Sequence, residues 1–175
     1  VGNKTNRSLV IHTDLERVGY NIMTKKKFYI MRGLPGSGKS YTAKEIVGGG
    51  QIFSADDYWY IENPDKYQFD GSRLRDAHAW NQRRVEEAVK ADIPIIVVDN
   101  TNTTLKELKF YSPMIQEALK KGYTVELVEP RTSWAFDVDE CFKRNSHNVP
   151  LDVVQRMADR YVKDVKVEDI LSLQI

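Results

Sequence analysis

Short apolar runs, each followed by a stretch of helical spacing, recur along this chain. Lys27-Phe28-Tyr29-Ile30-Met31, Gln51 to Ser54, Ile93 to Val98 and Tyr123 to Glu129 are the runs. Their length and their β-branched and aromatic content predict strands. Ile93 to Val98 is apolar throughout and predicts a central parallel strand covered on both faces. The intervening stretches predict helices. One spans about Lys39 to Val47 and stops at Gly48-Gly49-Gly50, where a glycine accepts the left-handed cap conformation. A second, capped by Asp70, runs from about Ser72 to Ala91 and gathers Leu74, Ala77, Val85, Ala88 and Val89 on one face. Thr104 and Glu107 form a capping box for the third, which Pro113 should kink or restart near Ser112. Asp137 and Glu140 form another box, and Val149-Pro150 should start the last substantial helix. Strands and helices alternate, which predicts an α/β fold with an open, mostly parallel sheet between helical layers.

The first residues stand outside this pattern. Val1 to Thr24 is polar except for Leu9-Val10-Ile11, so residues 1–26 read as an N-terminal extension with at most one edge strand. Residues 27–175 form the domain, with the helices of about 137–164 as a lid. A hydrophobic content of 41% gives that domain room for a core, and a net charge of +1 excludes a global field for nucleic acid or membrane. An anionic partner must therefore meet a local basic patch. The single Cys141 cannot form an intramolecular disulfide. No apolar run has the length of a membrane span and no signal-peptide pattern is visible, so an intracellular, reducing location (cytoplasmic or nuclear) is expected, with no membrane partner.

Chemistry enters with Gly33-Leu34-Pro35-Gly36-Ser37-Gly38-Lys39-Ser40, a glycine followed by four residues and Gly-Lys-Ser. The motif lies between a strand and a helix, as a phosphate-binding loop requires. Glycines let backbone N–H groups wrap a phosphate, and the helix N-terminus adds partial positive charge. Gly33, Pro35, Gly36, Ser37, Gly38, Lys39, Ser40 and Tyr41 are the candidate nucleotide contacts. Lys39 is placed for the β- and γ-phosphates, and the Ser40 hydroxyl for Mg²⁺. The loop thus implies ATP or another NTP as cofactor, and the fold of a P-loop NTPase.

Acidic groups arrive at strand ends, where ligands of parallel sheets bind. Asp56 and Asp57 follow the second strand and Asp99 follows the central one. Phosphoryl transfer needs one carboxylate to take the acceptor proton. Successive residues on a strand end point oppositely, so one of Asp56 and Asp57 is expected to be the base and the other structural. Polar His78 and Asn81 interrupt the apolar face of the second helix and need partners, either a substrate or a neighbouring loop. Arg131 to Arg160 is locally basic, which suits a lid arginine or an ordinary solvated face.

Taken together, several motifs resemble the P-loop polynucleotide 5′-kinase family. They are Arg32 to Ser40 (RGLPGSGKS), Phe53 to Tyr58 (FSADDY), Asp76 to Arg84 (DAHAWNQRR) and Asp99 to Asn102 (DNTN). Glu129-Pro130, Thr132, Trp134, Arg144-Asn145 and His147 continue the resemblance, which covers about Phe28 to Asp164. It is closest to the kinase domain of the Nedd-four-binding proteins and more distant to phage-type enzymes. The resemblance implies Mg²⁺-dependent transfer of a γ-phosphoryl group from ATP or another NTP to 5′-hydroxyl ends of DNA or RNA. It further implies Lys39, Asp56, Asp99 and Arg144 as catalytic residues, Asp56 being the base and Arg144 the lid arginine. Where phage-type enzymes carry a phosphate-binding arginine this chain has Trp59, so Arg73, Arg75, Arg83 and Arg84 become candidates for that contact. Asp57, Trp59, His78, Asn81 and Arg84 complete the expected acceptor side. Two other readings stand beside this one. A small-molecule or modified-base hydroxyl could be the acceptor, or the chain could be a non-catalytic nucleotide-binding interaction module. Oligomeric state is left open by the sequence.

Overall fold

The computed structural model describes residues 25–173, so the edge strand expected at Leu9 to Ile11 lies outside the described residues. Four strands, β1 (Lys27–Met31), β2 (Gln51–Phe53), β3 (Ile95–Val98) and β4 (Thr124–Val128), form one sheet in the order β2-β3-β1-β4. All three pairings are parallel. The chain leaves β1 toward one edge and leaves β3 toward the other. The C-terminal ends of these two central strands therefore flank the crevice that parallel sheets use for ligands.

Alternation along β1 sets the two faces. Phe28 and Ile30 join Ile96, Val98, Val85, Val89 and Ile115 in the main core, whereas Met31 packs with Val97 and Ala43 on the other side. Helix α1 (Lys39–Ile46) covers the second face. Helix α2 (Leu74–Lys90) and helix α4 (Ser112–Lys120) cover the first, with the short α3 (Leu105–Lys109) between them in sequence. Helices α5 (Val138–Arg144) and α6 (Leu151–Asp159) form a hairpin, the segment expected as a lid, whose Cys141 and Val154 pack on Leu34 of the phosphate loop.

Several boundaries differ from those expected. The second strand ends at Phe53, and Ala55–Tyr60 winds into a 3₁₀ turn because the Ser54 side chain accepts from Asp56 N and the Asp57 carboxylate returns to the Ser54 N–H. Asp56 and Asp57 thus do not alternate as strand residues. Asp70 caps a 3₁₀ turn, Gly71–Arg73, and α2 begins only at Leu74. The helix with Pro113 is two helices, divided at Phe110 and Tyr111, which is the restart expected near Ser112. Pro150 sits before the first turn of α6 with extended ψ of 150°, one position earlier than expected. Helix α7 (Val167–Ser172) has no counterpart among the predicted elements; its Ile170 is wholly buried in the main core.

Candidate active site

The phosphate loop runs from the end of β1 into α1. Gly33, Gly36 and Gly38 have φ of 153°, 76° and 101°. The last two lie in the left-handed region that favours glycine. The amides of Gly38, Lys39, Ser40 and Tyr41 meet no backbone carbonyl among the described residues. The Ser37 hydroxyl is fully buried and has no hydrogen-bond partner there either. The Lys39 ammonium folds back on Leu34 O at 3.1 Å. A cradle of free donors, an orphaned hydroxyl and a buried ammonium fits an oligophosphate. Burial pulls the Lys39 pKa below its ordinary value, while Asp99 and then Asp56 oppose that shift. Both carboxylates therefore act on the same ammonium at the mouth of the loop.

Each carboxylate is delivered by a braced segment. Asp99 follows β3 directly, and its amide donates to Phe53 O of β2. Asn100 then accepts from the Ala55 amide at 3.0 Å and donates to the Tyr111 hydroxyl at 3.0 Å, which pins the 3₁₀ turn carrying Asp56. Asn102 donates to Met31 O. The Asp99 to Asn102 stretch thus contributes two structural pegs in addition to its acid. Asp56 itself accepts from the Tyr67 hydroxyl at Oδ1, 3.0 Å, and lies 3.4 Å from His147 Nε2 at Oδ2.

Beyond β4, the chain closes on the loop. Thr132 donates to Ser37 O at 2.7 Å, and the Trp134 indole to Gly36 O at 3.2 Å. A Cβ on Gly36 would stand 2.0 Å from Cys141 O, so α5 rests directly on this glycine. Arg144, at the end of α5, lies 4.0 Å from the Trp134 ring centroid and donates to Glu140 at 3.3 Å. It is therefore held at the loop rim through Trp134.

The expected acceptor side is rearranged. Trp59 is 4% exposed and packs edge-on against Tyr58 and Phe69 with Ala55 and Ala77, so it offers no free stacking face. Asn81 is wholly buried, donating to Phe53 O and accepting from Arg84. Arg84 pairs with Asp57 at 3.0 Å and stacks on Trp80, so these two residues neutralise each other. His78 is half-buried. Burial lowers its pKa below the ordinary imidazole value, with Glu107 and Asp56 opposing. Tyr41 is 68% exposed on the outside of α1. Two residues do reach Asp56: Tyr67, from the aromatic loop of Tyr58 to Phe69, and His147, which entered the sequence reading through the family resemblance with no partner assigned. No sequence spacing pairs them, because the sheet crossover brings them together.

Comparison with known proteins agrees with this architecture. The chain is 39% identical to human NEDD4-binding protein 2 over 163 residues, 88% of this chain but 9% of that protein. It thus spans a small part of its relative. Among solved structures, a chain of the Pnkp1/Rnl/Hen1 RNA repair complex superposes with a TM-score of 0.53 at 16% identity, covering 78% of this chain and 44% of that one. A gluconokinase from Sinorhizobium meliloti 1021 superposes at 0.50 with 15% identity, over 85% and 89% of the two chains. These likenesses describe a shared kinase-type P-loop fold. The family model described as AAA domain matches residues 28–163, and the chain belongs to that family, as a P-loop domain of kinase type.

Proposed function

We propose that this chain moves the γ-phosphoryl group of ATP, or another NTP, to the 5′-hydroxyl end of DNA or RNA. The observation that carries the reading is the phosphate cradle itself, with its orphaned Ser37 hydroxyl and a buried Lys39 ammonium whose pKa the charges of Asp99 and Asp56 raise against burial. With β- and γ-phosphates on Lys39, these carboxylates are the groups available to accept a proton. In the proposed step the acceptor oxygen bonds to the γ-phosphorus and its proton passes to Asp56. The bond between that phosphorus and the β–γ bridging oxygen breaks, and the nucleoside diphosphate leaves. Lys39 and Arg144 balance charge on the phosphoryl oxygens. Ser40, exposed on the first turn of α1, would hold Mg²⁺, which would supply charge neutralisation for the phosphates. The intact set of Lys39, Ser40, Asp56, Asp99 and Arg144 speaks against a non-catalytic module, which needs no base.

For a nucleic-acid acceptor, support comes from the aromatic loop. Phe69 and Tyr60 are 57% and 37% exposed, and Arg73, paired with Glu62 at 3.0 Å, lies 5.1 Å from the ring centroid of half-buried Tyr58. Exposed rings on a loop that also carries a cation suit unpaired bases. One observation favours a small hydroxyl acceptor instead: Tyr67 and His147 close over Asp56 from two sides. Labelled γ-phosphate offered with 5′-hydroxyl DNA and RNA oligomers, nucleosides and small alcohols separates the readings. Labelling of oligomer ends is the expected result. Labelling of small alcohols alone would transfer the assignment to the second reading, and no labelling at all would end both.

A further inference from the structure

Asp56 is gripped by two side chains that the chemistry above leaves without a role. The geometry points to a latch: Tyr67 is a positioning residue that fixes Oδ1 of Asp56, and its stack on His147 ties the aromatic loop to the lid across the acceptor. This inference rests on Asp56 being the base.

Asp56 needs such a device. Its own amide is used on Ser54, and its carboxylate is 45% exposed, so nothing in its own turn fixes the side-chain rotamer. Tyr67 supplies the missing constraint at 3.0 Å. Burial, then the charge of Asp56, holds the Tyr67 phenol well above its ordinary pKa, so it remains a donor wherever the protein is folded. A donor on Oδ1 leaves Oδ2 for the acceptor. There His147 Nε2 stands at 3.4 Å, beyond the usual 2.7–3.2 Å range of an N–H···O bond. It is the weaker of the two contacts and the one an incoming hydroxyl displaces.

The stack is built on both sides. The Tyr67 and His147 rings are 4.6 Å apart at 28°, and Tyr67 is itself parallel to Phe69 within 7° at 6.5 Å. On the lid side, Asn145 fixes the linker by donating to Phe142 O at 2.7 Å and accepting from Val149 N at 2.7 Å. His147 is thus presented by a rigid turn rather than by a free loop. Three rings then run from exposed Phe69 past the carboxylate to the lid.

Two variants separate the two halves of the latch. Tyr67→Phe keeps the ring and removes the hydroxyl, so kcat should fall about 10- to 100-fold with both KM values unchanged, the scale of one hydrogen bond to a charged group. His147→Ala should raise the acceptor KM about tenfold, and His147→Phe should restore it. A Tyr67→Phe protein with wild-type kcat, or a His147→Phe protein no better than His147→Ala, overturns the inference. A second readout needs no acceptor. The imidazole proton resonances of His147 should be ring-current shifted in the wild type and in Tyr67→Phe, and should return to unstacked positions in Tyr67→Leu. If they do not move in Tyr67→Leu, there is no latch. If they move but the wild-type chain labels no acceptor, the contact stands and the reading of Asp56 as a base fails, taking the positioning role with it.

Discussion

Asp56 reaches the loop mouth on a turn held by Ser54 and Asn100, neither of which depends on its carboxylate for its own bond. Asp56→Ala should therefore leave nucleotide affinity nearly unchanged while lowering transfer by about 10²-fold or more, the usual scale for a general base. Single-turnover labelling beside a nucleotide titration checks this, and undiminished transfer would assign the base elsewhere. His78 has a different signature. The folded imidazole takes up its proton below 6.5, whereas the unfolded one does so near 6.5. Between those two values the unfolded chain binds more protons, so stability is lost as pH falls through this window. Melting temperatures at pH 7.5 and 5.5 should differ less in His78→Gln than in the wild type. An equal difference would remove His78 from the acid limb. At this scale the phosphate loop was legible in the sequence because its chemistry is local, a run of eight residues whose backbone does the binding. Asn81, Trp59 and the Asp57–Arg84 pair were not. A polar residue on an apolar face needs a partner, but sequence does not say whether the partner is a substrate or a carbonyl of β2.

Between elements, α5 lies directly against the loop. Gly36→Ala would force a Cβ into Cys141 O at 2.0 Å, from a residue whose φ is 76°. Strain of that kind costs about 1–3 kcal/mol, and the collision adds to it unless α5 lifts off the loop. Gly49 has nothing within 4 Å of an added Cβ, so Gly49→Ala serves as the neutral control. Urea melts should show a loss for Gly36→Ala only; matching midpoints would mean that the lid yields without cost. Capping signals were read well from sequence, since a box such as Thr104 with Glu107 involves only neighbours. The return bond from Glu140 to the Asp137 amide is not among the contacts seen. The Glu140 carboxylate is used instead by Lys143 and Arg144, one turn further along.

Across the whole domain, Arg32 joins parts far apart in the chain. It is 1% exposed, donates to Asn102 O at 3.0 Å and Val162 O at 2.7 Å, lies 3.6 Å from Glu129, and stacks at 4.7 Å on the Tyr161 ring. The strand before the phosphate loop, the segment after β3 and the segment after the lid all meet on this one guanidinium. Arg32→Met should cost about 3 kcal/mol or more, because buried carbonyls lose their donor, and should lower the melting temperature by about 10 °C. An unchanged melt would show that water or a rearranged side chain replaces it.

What the sequence determined by itself was whatever short-range chemistry specifies: the strands, most helix caps, the phosphate loop, and the parallel α/β class. The kinase-type fold follows from those, and the family match over residues 28–163 agrees with it. Tertiary structure alone decided which side chains surround Asp56. Tyr67 and His147 belong to segments separated by two strands, and only the sheet order β2-β3-β1-β4 brings them to one carboxylate. The reason is physical: periodicity tells which face of an element is buried, but the partner of a polar group across a crossover depends on how whole elements pack.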